Sequence, residues 1–391
     1  MIIGVDYTAA AWQVAGIGRY TRELLRAAIP LDRSLRYVLF YAGGGLPADL
    51  PYVGQLRAFQ AANPNLTVRP LPISPRLLTI LWQRLRLPIL AETLLGKLDI
   101  LHAPDFVLPP TRARALLTVH DLTFLVHPET ADAKLRRYLS AAVPRSLRRA
   151  DLVLVDSQAS AADLARLLNF DPQRIRLLYP GVDPRFRPLA EHEIAPVRVE
   201  LKLPERFLLF VGTIEPRKNL ARLIQAFGQY IRSNQPNTPP NLALVIAGRR
   251  GWLYDEIFAM VEQLQLGERV RFLDFIADAQ LPALYNLAQA FVYPSLYEGF
   301  GFPVLEALAC GTPALTSAVS SLTEVAGDAA VLVDPQDPGA IARGIAEILQ
   351  ADPQRRERGI VQARRFSWAT AAESLIATYR ELHDAPRDNG R

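Results

Sequence analysis

The chain has 391 residues, with 44 Lys+Arg against 39 Asp+Glu for a net charge of +5; half of its residues are hydrophobic and 21% are charged. That length exceeds one ordinary core and predicts two domains of about 150–200 residues, while the composition excludes a disordered or fibrous chain. No apolar run reaches the ~20 residues of a membrane-spanning helix, and the one cysteine, Cys310, excludes an internal disulfide.

The opening MIIGVDY reads as a strand with no basic leader, so no signal peptide is expected. Cys310 reads as a small core residue of a cytoplasmic protein. Strand-like runs follow at 36–42, 99–105, 115–121 and 150–157, with helical segments over 18–28 and 159–168. The stretch GVDPRFRPLAEHEIAPVRVE (181–200) is proline-rich and weakly periodic and reads as a linker. Strands then restart at 206–213, 241–248, 270–276, 290–295 and 312–317. This alternation predicts two α/β domains with parallel sheets, residues 1–185 and 186–365, facing across a cleft. In such sheets ligands bind beyond the carboxyl ends of the strands.

Charge is uneven along the chain: residues 1–185 carry 23 Lys+Arg against 15 Asp+Glu, and residues 186–391 carry 21 against 24. The basic excess gathers in PRLLTILWQRLRLPIL (75–90) and KLRRYLSAAVPRSLRRA (134–150). Arginines mixed with Leu, Trp and Tyr at near-helical spacing suit an anionic membrane surface, or equally a solvated helix face over a core. No nucleic-acid motif accompanies the charge, and no nucleic-acid partner is expected.

Several standard motifs are absent. GIGRYT (16–21) has Gly16 and Gly18 in the first two places of a dinucleotide fingerprint, but Thr21 stands in the third, which disfavours NAD. There is no G-x-x-x-x-G-K-[ST], no Asp-x-Asp and no tight His/Cys cluster, so neither a metal nor a cofactor is expected. TVHDL places His120 at a strand end, where a neutral imidazole can bond a substrate hydroxyl or be a satisfied structural group. In VGTIEPRKNL (211–220), Gly212 ends a strand, Pro216 can open a helix, and Arg217 and Lys218 share its first turn. Two cations there oppose the helix dipole. They make sense if a dianion arrives; an exposed charge pair is the plain alternative.

YEGFGFPVLEALACGTP (297–313) bends at Gly299 and Gly301 into a helix that starts near Pro303 and ends at Gly311. Such a helix N-terminus can hold a phosphate or diphosphate. Glu298, on the loop, and Glu306, about one turn into the helix, cannot be contacting phosphate but suit paired hydroxyls. A nucleotide sugar carries hydroxyls on both sides of its phosphates, and Arg217 with Lys218 would neutralise the leaving diphosphate.

EGFGFPVLEALACGTP resembles the E-x7-E signature of the retaining GT-B glycosyltransferase family 4, the mannosyltransferase-like group 1 enzymes. GIGRYTRELL, TVHDL, DSQASAADL (156–164), YPGVD (179–183), VGTIEPRKNLARLIQAF and FSWATAAESLIATYREL (366–382) are similar to that family in its order. The likeness covers nearly the whole chain. It implies two Rossmann-like domains, the acceptor on the first and the nucleotide-sugar donor mainly on the second. It also implies a last helix, near 366–383, that crosses back to the first domain.

By the same resemblance, Glu306 grips both ribose hydroxyls and Glu298 binds the 3- or 4-hydroxyl of the transferred sugar. Phe300, Gly301 and Phe302, leading into Pro303, Val304 and Leu305, present backbone N–H groups to sugar and diphosphate. Arg217 and Lys218 bind the diphosphate, His120 contacts the sugar 6-hydroxyl, and Gly16 and Gly18 shape a loop facing the phosphates. Thr213 and, by the nucleobase, Phe275 and Ile276 complete the donor set. Transfer with retention and no metal is implied, and no third acid presents itself as a nucleophile. TIEPRKN together with TVHDL most resembles the branch that uses GDP-mannose, acting on a glycan or lipid-linked acceptor at the cytoplasmic membrane face. Two departures stand out: Thr213, where some members have arginine, leaves fewer cations, and Asp274, where many have glycine, leaves the base open. The alternatives are a non-catalytic nucleotide-sugar-binding subunit, or a GT-B nucleotide-sugar epimerase. The presence of His120, Arg217, Lys218, Glu298 and Glu306 together weighs against the subunit, and the E-x7-E pattern against the epimerase.

Overall fold

The computed structural model describes residues 1–14, 16–47, 50–233, 239 and 241–386. They form two compact units: residues 1–125, 133–181 and 367 onward, and residues 126–132 with 182–366. The sequence placed the divisions at 185/186 and 365/366 and did not foresee the excursion of 126–132. That segment is held within the second unit, where the Trp252 indole N–H donates to the Thr130 carbonyl (2.8 Å).

The first unit contains a seven-stranded, all-parallel sheet: β1 Ile2–Asp6, β2 Arg36–Ala42, β3 Leu66–Leu71, β4 Ile100–Ala103, β5 Arg114–Val119, β6 Leu152–Val155 and β7 Ile175–Leu177. Their spatial order is β3-β2-β1-β4-β5-β6-β7. The second unit repeats the plan with six strands: β8 Phe207–Val211, β9 Ala243–Ala247, β10 Val270–Leu273, β11 Ala290–Tyr293, β12 Ala314–Ser317 and β13 Ala330–Val333, in the order β10-β9-β8-β11-β12-β13. The central strands are continuous apolar runs, FLLFV in β8 and AFVY in β11, because helices cover both faces of a parallel sheet. In each sheet the strand order reverses once, between β1 and β4 and between β8 and β11. There the connections diverge to opposite faces and leave a crevice at the carboxyl ends.

The helix Trp368–Asp384 belongs to the first unit. Its Tyr379 hydroxyl lies 2.8 Å from Nδ1 of His102 on β4, and Arg380 pairs with Asp32 (2.7 Å). Gly181 lets the chain pass closely there, since a Cβ would stand 2.1 Å from the Trp368 nitrogen.

Three local expectations are corrected. The stretch 75–90 is helical only over 75–84, its last turn a π-turn; Arg86 has φ 54° and Pro88 follows, so the helix cannot continue. The second half of the linker is a helix, Glu191–Glu200, whose start is fixed by the Glu193 carboxylate accepting from the Ala190 N–H (3.0 Å). Arg217 and Lys218 lie not in the first turn of an α-helix but on a single 3-10 turn, Pro216–Lys218. Asn219, left-handed at φ 61°, separates that turn from the helix Leu220–Arg232. Among the described residues, no helix is long and apolar enough to cross a membrane.

Candidate functional site

The crevice of the second sheet is where β8 and β11 deliver their following loops. After β8 the chain turns through Gly212 and Thr213 to Glu215, Arg217 and Lys218; after β11 it runs through Ser295 to Glu298. Glu298 is the hub. Its Oε1 accepts from Lys218 Nζ (2.7 Å), the Tyr293 hydroxyl (2.9 Å) and the Ser295 hydroxyl (2.7 Å), and its Oε2 pairs with Arg217 (2.7 Å). Arg217 also pairs with Glu215 (2.8 Å) and donates to the Tyr297 carbonyl (2.8 Å). Burial disfavours the Glu298 anion, but the Arg217 and Lys218 charges outweigh it and hold the carboxyl down at about 2. Burial and the adjacent guanidinium pull Lys218 below the usual lysine value against the Glu298 attraction. The two cations therefore do not stand open at a helix start; they neutralise carboxylates.

From Glu298 the loop bends into the helix Phe302–Ala309. Gly301 has φ 109°, a conformation that favours glycine, and a Cβ there would press on the Leu322 side chain at 2.8 Å. Ser321 donates its hydroxyl to the carbonyls of Glu298 and Phe300 (2.8 Å each), and the Glu298 N–H donates to the Ser320 hydroxyl (3.1 Å). This loop is thus built in advance, with the first N–H groups of a helix at its end. Pro303 occupies the first turn, where its missing N–H is harmless, and Val304 and Leu305 are core residues. Glu306 is buried, with Oε2 accepting from the Tyr285 hydroxyl (3.0 Å). Rings of Tyr285, Phe291 and Tyr293 are in contact (5.3 and 5.6 Å between centroids), so one aromatic row carries both hydroxyls that reach the two glutamates. Phe275 is exposed on the segment after β10, Ile276 is buried, and Thr213 is exposed after β8.

Gly16, Gly18 and His120 are in the first unit. Gly16 precedes the helix Ile17–Leu31 with φ 59°, while Gly18 lies within that helix and is buried. A Cβ on Gly18 would stand 2.5 Å from the Gln13 carbonyl and 2.7 Å from that of Ala9, so Gly18 lets its helix pack closely against the segment that precedes it. His120 is not the neutral imidazole expected. Its Nδ1 bonds Asp156 (2.6 Å) and its Nε2 bonds the Pro104 carbonyl (2.8 Å), so both nitrogens donate. Burial opposes the charge, but Asp156, the Pro104 carbonyl and Asp105 together raise the imidazole to about 9. As it stands, the ring has no nitrogen left for a substrate hydroxyl.

The structure therefore brings Arg217, Lys218 and Glu298 into one cluster and sets the Phe300–Glu306 segment directly after it. It adds Glu215, Tyr293, Ser295, Ser320, Ser321 and Tyr285, which sequence reasoning missed. The only signal available was the polar Tyr-x-Ser at the end of an otherwise apolar strand. No group of three or more His, Cys, Asp or Glu among the described residues is placed to hold a metal ion.

Comparison with known proteins gives these features a family. A family model described as glycosyl transferases group 1 matches residues 193–366, and one described as glycosyltransferase family 4 matches residues 14–186. A protein of Escherichia coli named O-antigen chain mannosyltransferase B is 34% identical over 376 residues, covering 95% of this chain and 97% of that one. A D-inositol 3-phosphate glycosyltransferase of Salinispora tropica is 36% identical over 59% of this chain and 51% of its own. Among solved structures, sucrose-phosphate synthase from Thermosynechococcus elongatus matches with a TM-score of 0.75 at 23% identity, covering 99% of this chain and all of the other. WaaG, a glycosyltransferase involved in lipopolysaccharide biosynthesis, matches at 0.67 and 16% identity, covering 97% and 99%. The fold is the GT-B architecture, and the chain belongs to the group 1 glycosyltransferases.

Proposed function

We propose that this glycosyltransferase moves mannose from GDP-mannose to a glycan or lipid-linked acceptor, with retention and without a metal ion. The observation that carries the reading is the second unit's cluster: two cations and Glu298 meet at the reversal point of a parallel sheet, directly before a prebuilt glycine loop and helix N-terminus. In this reading the diphosphate lies on the Gly301–Phe302 backbone, Glu306 takes the ribose hydroxyls, and Glu298 faces the sugar. Lys218 and Arg217 turn part of their charge from Glu298 to the departing diphosphate. The mannosyltransferase name of the relative that covers 95% of the chain supports the choice of sugar.

His120 acts here as a fixed buried cation that orders the strand ends of the first unit, without touching the sugar. The exposed residues Arg76, Leu77, Arg84, Leu85, Arg86 and Leu87 form a basic, apolar surface on the same unit. Tyr138, hydrogen-bonded to Thr79, ties it to the second basic segment with exposed Lys134, Leu135, Arg136 and Arg137. This surface suits an anionic membrane, where a lipid-linked acceptor would be found.

Thermal unfolding in EDTA with GDP-, UDP- and ADP-sugars tests the donor. At about 100 times its dissociation constant the correct donor stabilises by about 2.7 kcal/mol, and the Glu306→Ala variant loses that shift. A shift with another nucleotide alone would replace GDP-mannose, and an absolute requirement for a divalent ion would overturn the metal-free reading. Binding to anionic vesicles should fall steeply with salt; salt-independent binding would remove the membrane surface.

A further inference from the structure

The charges of the second unit's cluster cancel: Arg217 and Lys218 are matched by Glu215 and Glu298 in ion pairs of 2.7–2.8 Å. A nucleoside diphosphate arriving there meets no net positive charge, and Thr213 adds none. The neighbouring strand holds a cation outside that balance. Beyond their last ladder residues, β8 and β9 run on side by side. Gly212 N–H donates to the Ala247 carbonyl (2.9 Å), Ile214 N–H to the Arg249 carbonyl (2.9 Å), and Gly251 N–H to the Ile214 carbonyl (3.0 Å). Ile214 pairs with Arg250 in parallel register, so Thr213 has Arg249 as its register neighbour, and paired residues share a face. The backbones are close enough that a Cβ on Gly251 would stand 2.8 Å from the Thr213 methyl.

Arg249 is exposed, and its guanidinium carbon lies 4.3 Å from the ring centre of Phe275, which is itself 48% exposed. Among the described residues no carboxylate pairs with this guanidinium and no hydrogen bond holds it. Stacking on a ring face fixes a guanidinium without using its N–H fork, which stays available for phosphate oxygens. The next residue, Arg250, leans instead on Phe258 (4.9 Å) and Tyr254 (5.9 Å).

We propose that Arg249, steadied on Phe275, supplies the positive charge that the donor's diphosphate meets, in place of a cation at position 213. The inference rests on the nucleotide-sugar reading and adds a residue to it. It gives a role to the exposed Phe275 ring two residues beyond β10 and lets the cluster around Glu298 remain neutral without ligand.

Calorimetric titration of GDP, GMP and guanosine in EDTA tests it, with the wild-type chain and the variants Arg249→Gln, Arg249→Lys, Phe275→Leu and Arg250→Gln. Loss of a charged contact to phosphate should weaken GDP about tenfold to a hundredfold in Arg249→Gln. Guanosine should change less than about threefold, as expected of a site that meets phosphate and not base. Arg249→Lys should recover part of the loss, Phe275→Leu should show a smaller one, and Arg250→Gln should behave as wild type. An Arg249→Gln variant that binds GDP normally, or that loses guanosine as severely as GDP, overturns the proposal while leaving the donor reading intact. A wild-type chain that binds none of the three overturns the donor reading, and the proposal with it.

Discussion

In the first unit His120 gives each ring nitrogen to one fixed partner, whereas in the second unit Glu298 collects four donors on two oxygens. Both groups are buried charges just beyond the strands of a parallel sheet. The one-to-one arrangement has no spare bond, so any change of partner leaves a buried group unpaired. The four-to-one arrangement is redundant. Glu298 can release one cation to an incoming anion and still hold three donors, so redundancy makes the second cluster exchangeable where the first is a fixture.

The sharpest way to break the contrast is Glu298→Ala, which leaves buried Lys218 without its carboxylate and half-buried Arg217 with Glu215 alone. Unfolding in urea should show a loss of about 3–5 kcal/mol. A loss below ~1 kcal/mol would mean that the carboxylate is not what holds the cluster. Next is Asp156→Asn, which deprives the imidazolium of its anion and should cost about 2–3 kcal/mol. That variant should also change the pH dependence. The folded-state pKa of His120 is raised to about 9, so its contribution is complete below its unfolded value and is lost as pH rises through 9. Wild-type stability should therefore fall between about pH 6.5 and 9, and Asp156→Asn should flatten that slope; an unchanged slope would assign it to other groups. For Glu298 the sign is opposite: its depressed pKa stabilises above its unfolded value and is lost as pH falls toward 2.

Two hydroxyl deletions sharpen the comparison at smaller effect. Tyr379→Phe leaves Nδ1 of buried, neutral His102 without its partner and should cost about 1–3 kcal/mol. Ser295→Ala removes one of four donors and should cost about 1 kcal/mol or less. If the two losses prove equal, redundancy does not set the cost of losing one donor.

Most of this architecture could be read before the structure. Ten strands were legible because central strands of covered sheets are unbroken apolar runs between helical patterns. The three missed strands lie at sheet edges: β3 carries Pro70, β7 has three residues, and β13 alternates buried and exposed positions. Glu298, Glu306 and the glycines between them pointed to a candidate site, since two acids around a glycine turn that opens a helix need a reason. What the residues could not reveal was pairing. Arg217 and Lys218 read as waiting for a dianion because the partner they share, Glu298, is 80 residues from Lys218 in sequence. His120 read as neutral because Asp156 and the Pro104 carbonyl reach it from other strand ends.

The closing helix of the first unit, Trp368–Asp384, comes after every strand of the second. A chain made from its amino end exposes β4 with His102 lacking the Tyr379 hydroxyl until 277 further residues have emerged. The second unit, by contrast, has all its residues in hand by Phe366. The order of maturation is thus reversed relative to the order of synthesis. The half made first waits, with part of its apolar surface uncovered, for the half made second, and helpers that shield nascent chains should bind residues 1–181 for longer than residues 182–366.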